Sequence, residues 1–255
     1  MDIFAITRLS LIETLRRKEF YVVLVLVLGL AIWMHMMNVG LSGAGRFAKD
    51  IVMQVVWLAS FALAVPLATR QISSDLEHKT VYVLASRPIP RWHYVFGRTL
   101  GAVVASLICF TAFYAVLLLM LLAKGAATIT DSSLWQAYFL QVMALVMLCC
   151  VTVLFSVTAT PSGAVTFSLL ILAMMRYGGP AILNRIEQMS GFVREVAWFI
   201  FLILPHFEFF SMSQRVVHGW GALPIGLFLE ILAYGAAYSL VITALAALTF
   251  RRRWL

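Results

Sequence analysis

The chain has 255 residues, 63% of them hydrophobic and only 12% charged, with a formal net charge of +8. Soluble domains are about half apolar and a quarter charged, so this composition excludes a soluble protein and leaves no length for a separate soluble catalytic domain. Lys and Arg beside membrane spans account for the positive charge, which argues for contact with membrane lipid and against nucleic acid.

The first element, 3–18, is too polar to span a bilayer. Phe4, Leu11, Ile12 and Leu15 can share one helical face, with Ser10, Glu13, Thr14 and Arg17 opposite and Arg8 interrupting the stripe. This predicts an amphipathic helix lying in the interface, its bases toward lipid phosphates, with an ordinary basic flank as the plainer reading. A span needs about 20 apolar residues. The first such run, 20–37, is too long for the hydrophobic region of a signal peptide, so none is expected. It ends in "WMHMMN" (33–38), where one His and three Met could suit Cu(I). Trp and Met equally suit the end of a span.

A second span is expected at 51–69, and the polar stretch 70–98 follows it. Ser73 or Ser74 can cap a new helix with Asp75 and Glu77 in its first turn, where the helix dipole favours acids. Val81 to Leu84 would continue that helix, and Pro88 and Pro90 would break it. A second helix is expected after Arg91, running through Gly97 and Gly101 into a third span at 99–123. The fourth span is expected at 134–157. Cys109, Cys149 and Cys150 lie inside these runs without Cys-x-x-Cys spacing, as packing residues and not disulfide partners or metal ligands. Pro66 and Pro161, near span ends, read as kinks.

A fifth span, 163–182, is interrupted by Arg176 and by Gly178-Gly179-Pro180. The stretch 192–204, with Arg194 and Glu195, is too short to span and suits a re-entrant or interfacial helix. "ILPHFEFF" (203–210) then brings His206 and Glu208, two ligand types but no closed metal site. The sixth span is expected at 223–250 and carries Glu230. Charges at such depth usually pair, so Arg176 and Glu230 are expected to form a pair that holds an outer gate shut or is static; contact with a polar substrate is a third reading. His206 and Glu208 join them as candidate gate residues. The expected fold is thus an all-α integral membrane protein, one transmembrane domain over 1–255 with six transmembrane helices. An interfacial helix precedes them, and short re-entrant or interfacial helices lie between spans five and six, within an outer segment at 178–224. With the N-terminus inside, twelve of the 19 Lys and Arg are cytoplasmic. This predicts a multi-pass protein of the plasma or inner membrane with both termini cytoplasmic and 70–98 as the main cytoplasmic loop.

Residues 73–102 resemble the first cytoplasmic loop of the permease subunits of type-2 ABC transporters. That loop runs acid-x-acid-x-Gly-Thr, an apolar stretch, a Ser-x-Pro turn, an Arg, then Gly-Lys-x-x-Gly leading into the third span. Asp75, Glu77, Thr80, Ser86, Pro88, Arg91, Gly97, Arg98 and Gly101 hold those places here, with Lys79 where the family has Gly and Arg98 where it has Lys. The overall layout is similar along the whole chain, nearest to the branch that includes the nitrous-oxide-reductase maturation permease. The resemblance implies two permease subunits, as a homodimer, with two ABC ATP-binding subunits docked beneath them. Asp75, Glu77, Thr80, Arg87, Pro88 and Arg91 would carry the docking. The chain has no G-x-x-x-x-G-K-[ST] phosphate loop, so ATP and Mg would be bound by the partner, with no cofactor and no catalysis in this chain. The expected activity is export, or force transmission across the membrane. A secondary transporter or channel without an ATPase is the alternative and predicts inverted repeats, of which none is convincing. An intramembrane enzyme would need a nucleophile with its base, paired aspartates or a metal cluster. The spans contain no Asp, no H-E-x-x-H and no G-x-S-x-G.

Overall fold

The structure, a computed structural model, describes Thr7, Arg8, Ile12, Tyr21, Val25 and Gly29 individually, then 44–77, 91–123 and 131–253. Eight α-helices and one 3-10 turn lie in the continuous stretches, and no strand occurs among the described residues. They are α1 (Ala44–Glu77), α2 (Arg91–Ala123), α3 (Ser132–Thr158), α4 (Pro161–Tyr177), α5 (Gly179–Glu187), α6 (Phe192–Ile203), the 3-10 turn Phe207–Phe210, α7 (Ser213–His218) and α8 (Ile225–Arg253). α1, α2, α3 and α8 each carry an apolar stretch long enough to cross a bilayer. Two further crossings are possible if α4 with α5, and α6 with the 3-10 turn and α7, each count as one bent unit. The protein is all-α and built from membrane spans.

α3 is the hub. It packs against α1, α2, α4 and α8, and its middle, from Ala144 to Val153, is buried on nearly every side except at Val146. The outward faces of α4 and α8 remain apolar, as at Leu170, Ile225, Leu240 and Leu248, because hydrocarbon is their solvent and burying them gains nothing. Without a hydrophobic drive between helices, association in a bilayer relies on packing and on interhelical hydrogen bonds of about 0.6 kcal/mol each. The chain supplies several: Gln141 Nε2 donates to Ser60 Oγ at 3.2 Å, and Ser156 Oγ to the Thr69 carbonyl at 2.8 Å. Tyr114 Oη donates to the Leu134 carbonyl at 2.7 Å.

At one end of the bundle, Arg98 of α2 is buried and donates from Nη1 to Gln71 Oε1 of α1 at 3.2 Å. Its guanidinium lies 5.9 Å from the Tyr94 ring centroid, and Tyr94 stacks on Phe250 of α8 at 5.5 Å. Thr7 Oγ1 reaches the Gly97 carbonyl here at 3.3 Å. At the opposite end, the Gln136 side chain grips the backbone of Leu223, accepting its N–H at 2.7 Å and donating to its carbonyl at 3.0 Å. That pins the segment leading into α8.

Two local expectations are corrected. Ser73 and Ser74 do not begin a new helix: α1 runs unbroken through them to Glu77. No Gly or Pro interrupts 67–77, and Ile72 is fully buried, so the helix continues beyond the apolar run. Pro161 is no kink; it is the first residue of α4, where its missing N–H costs nothing, behind the N-cap Thr160. Pro66 does lie inside α1. α2 starts at Arg91 and runs through Gly97 and Gly101 as expected. The first expected span, 20–37, lies outside the described residues except for Tyr21 and Val25 and Gly29, and so does "WMHMMN".

Candidate functional site: the break between α4 and α5

The fifth expected span is a bent pair. α4 closes at Gly178, whose N–H donates to the Met174 carbonyl at 2.8 Å, and the chain then turns by 72° into α5. The sequence explains the break. Pro180 has no N–H to continue the ladder, and it takes a place in the first turn of α5 where none is needed. A Cβ on Gly178 would lie 2.6 Å from the Met174 oxygen.

Glu208 closes the corner. The 3-10 turn that follows α6 packs against α3 and α4 and presents the Glu208 carboxylate to Gly179, the first residue of α5. A Cβ on Gly179 would sit 2.8 Å from Glu208 Cδ, so glycine is what admits the carboxylate. An acid at the N-terminus of a helix faces the positive end of its dipole. Arg176, in the last turn of α4, has the complementary position at a helix C-terminus. Its guanidinium lies 4.2 Å from the Trp57 ring centroid on α1 and 5.7 Å from that of Tyr177. Its Nε is buried with no hydrogen-bond partner among the described residues. Glu208 is the carboxylate whose charge acts on it.

The structure does not bring Arg176 and Glu230 together as expected. Glu230 is exposed on α8, whereas Gly235, Ser239, Thr243 and Ala246 mark the buried stripe of that helix. Five residues from Gly235 is a rotation of about 140°, which turns Glu230 away from the bundle. Gly235 itself sits where a Cβ would lie 2.7 Å from Met143 and 3.0 Å from the Phe210 ring, so α8 meets both α3 and the 3-10 turn there.

His206 is a pin. Its backbone N–H donates to Tyr234 Oη at 3.2 Å, and its Nδ1 lies 3.3 Å from the same oxygen. Its ring meets Phe201 edge-on at 4.6 Å and stacks on Phe209 at 5.4 Å. Tyr238 Oη adds a bond to the Ile203 carbonyl at 3.0 Å. Together these hold the end of α6 and the 3-10 turn against α8. No group of three or more His, Cys, Asp or Glu is arranged to hold a metal among the described residues.

Of the residues expected to dock an ATPase, Asp75 and Glu77 fall in the last turn of α1 and Arg91 opens α2. Their side chains, and all of Thr80, Arg87 and Pro88, lie outside the described residues. Sequence reasoning missed Trp57 and Gly179 as site residues. The doubled glycine before Pro180 marked the break, but nothing in the sequence pointed from Trp57 to Arg176.

A family model described as an ABC-2 family transporter protein matches residues 50–255, most of the chain and every continuous helix of the bundle from α1 onward. Comparison with curated proteins returns no match. With several apolar helices able to cross a membrane and that match across them, the chain belongs to the ABC-2 transporter family and is a multi-pass membrane permease component of an ABC transporter.

Proposed function

We propose that this permease couples ATP hydrolysis by a separate ATP-binding subunit to export or to force transmission across the membrane. The observation that carries the reading is mechanical. α1 extends without interruption to Glu77 and α2 begins at Arg91, so the segment 78–90 links two long helices in sequence. Those helices are fastened to each other by Arg98 and Gln71, both buried. A push on 70–98 would thus be delivered to two spans at once.

In this reading Asp75, Glu77, Thr80, Arg87, Pro88 and Arg91 form the docking surface. ATP and Mg are held by the partner, and this chain carries no cofactor and no catalysis of its own. Two copies of the chain pair and two ATP-binding subunits dock beneath them. The protein is a single transmembrane domain, with 3–18 as an interfacial helix, 178–224 as the outer segment and both termini cytoplasmic. Within the family it belongs near the branch of the nitrous-oxide-reductase maturation permease. Arg176, Glu208 and His206 act as the outer latch, with Trp57 as the seat of the cation; Glu230 has no part in it.

The test is a charge swap at the docking surface. Purification of the tagged full chain from its own membranes is expected to bring down a soluble subunit bearing a phosphate loop. Glu77→Lys combined with Arg91→Glu is expected to abolish that association while membrane insertion is kept. Undiminished association of the double variant would show that docking lies elsewhere. Recovery of the wild-type chain alone, without ATP hydrolysis, would favour a transporter that works without an ATPase.

A further inference from the structure

Trp92, the second residue of α2, is 55% exposed, while Tyr94 and Val95 close by are buried. Its direction sets it apart. At about 100° per residue, Trp92 falls within about 20° of Thr99 and Val103 on the wheel of α2. Both are buried on the side of the helix that meets α3 and α8. The side facing lipid is marked by the exposed Ile108, Thr111 and Leu119, about 100–180° away. A tryptophan that anchors a span to the lipid interface belongs on that side. Trp92 instead continues the packed face past the end of the packing.

Depth and mounting agree with that placement. The apolar stretch from Trp92 to Leu119 has 28 residues, roughly 42 Å of helix against about 30 Å of hydrocarbon. Its basic residues, His93 and Arg98, are both at the Trp92 end, so the overhang lies there. Tyr94 stacks on Phe250, the residue of α8 that precedes Arg251, Arg252 and Arg253. Trp92 is two residues further out than Tyr94 and so stands level with those arginines, clear of the hydrocarbon. The turn that carries it is held by the Tyr94–Phe250 stack, by the buried Arg98 and by Thr7 on the Gly97 carbonyl. The ring centroids of Trp92 and His93 are 3.9 Å apart, which restrains the indole itself. A large aromatic on a stiff base loses little freedom on binding, as an interface anchor must.

We propose that Trp92 is the apolar anchor of the docking surface and fills a hydrophobic pocket on the ATP-binding subunit. The inference rests on the docking reading and supplies what that reading lacks. Of its six residues, four are charged, and exposed charge pairs steer and orient a partner more than they hold it. A tryptophan desolvated at the centre of such a surface supplies the affinity. Trp92 follows Arg91 directly, where the 78–90 segment enters α2, so a partner that grips that segment meets the indole first on the helix.

The test replaces Trp92 by the photoreactive p-benzoylphenylalanine in the full chain, in its own membranes. After illumination, the expected adduct at position 92 is a soluble subunit bearing a phosphate loop, identified by peptide mass spectrometry. In binding titrations with that purified subunit, Trp92→Ala is expected to weaken association at least about thirtyfold, and Trp92→Phe to retain most of it. Thermal midpoints of the chain without its partner should not move, because the indole is exposed there. If Trp92→Ala fails to insert, the photoadduct decides alone. Adducts confined to lipid or to a second copy of this chain would overturn the anchor, as would undiminished association of Trp92→Ala. Either result leaves the docking reading to the Glu77→Lys and Arg91→Glu charge swap. Recovery of the wild-type chain without any phosphate-loop subunit would instead overturn the docking reading, and the anchor with it.

Discussion

The seating of Arg176 on Trp57 makes a prediction whose size follows from geometry. The guanidinium is 4.2 Å from the indole centroid, well inside the range of a cation–π contact, and half-buried beside a membrane-depth aromatic. Such contacts are worth about 0.5–1 kcal/mol when exposed and about 2 when desolvated, so a coupling near 1–2 kcal/mol is expected. Arg176→Met keeps an unbranched apolar stem and removes the guanidinium and its charge. Trp57→Leu removes the π face but keeps an apolar residue in the core. Each single variant should lower stability, and the double variant should lose less than the sum of the two by that coupling energy. Unfolding of the purified chain in mixed micelles, with denaturant titrated against tryptophan fluorescence and helical content, gives the four stabilities. Arg176→Lys should recover only part of the contact, because a compact, strongly hydrated ammonium stacks less well than a planar guanidinium. Additivity within about 0.3–0.5 kcal/mol would refute the reasoning, since residues in real contact couple by more than that.

Other outcomes follow from the same packing. Glu208→Gln should destabilise the chain by about 0.3–1 kcal/mol through lost charge at the α5 N-terminus, whereas Glu230→Gln should change stability by less than about 0.5 kcal/mol; the same unfolding titration checks both, and equal effects would contradict the placement of Glu230. Gly235→Ala forces a methyl against Met143 and the Phe210 ring, with an expected loss of about 1–3 kcal/mol and a lowered thermal midpoint in differential scanning fluorimetry. Gln136→Leu removes both partners of the Leu223 backbone. Faster hydrogen exchange at the Leu223 amide, with little change at mid-α3, is the expected result.

Hydropathy made most of the spans legible because a helix in hydrocarbon must be apolar along its whole length, whichever helices it touches. The break at Gly178-Gly179-Pro180 was legible for an equally local reason: a proline cannot continue the hydrogen-bond ladder. The pairing of charges was not. Arg176 and Glu230 lie at plausible depths in two expected spans, and depth alone cannot say which way each helix faces. That depends on the register of α8 against α3, set at Gly235 by Met143 and Phe210. Glu208 reaches Gly179 only because a 3-10 turn folds back after the short α6, and no periodic pattern encodes such a return. The helix start assigned to Ser73 failed differently. Serine before acidic residues suits an N-cap, yet a helix already formed has no reason to stop where nothing breaks it, and Ile72 holds it in the core.

α1 links the two polar nodes of the bundle. Trp57 seats the cation at the break, and Gln71 holds Arg98 at the far end, fourteen residues and roughly 21 Å along the same helix. Between them the helix is packed into the core at Phe61, Ala64, Val65 and Ala68. It is also cross-linked to α3 through Ser60 and Thr69. A densely packed rod of this kind transmits displacement instead of absorbing it. The one soft point is Pro66, which removes a backbone hydrogen bond between the nodes. Force entering through the 70–98 segment therefore has a continuous covalent path to Trp57. Arg176 is the first charge it meets on α4, the helix that ends where the chain bends at two glycines and a proline. The position of Trp57 under Arg176 thus joins the part of the chain proposed to meet an ATPase to the bend between α4 and α5.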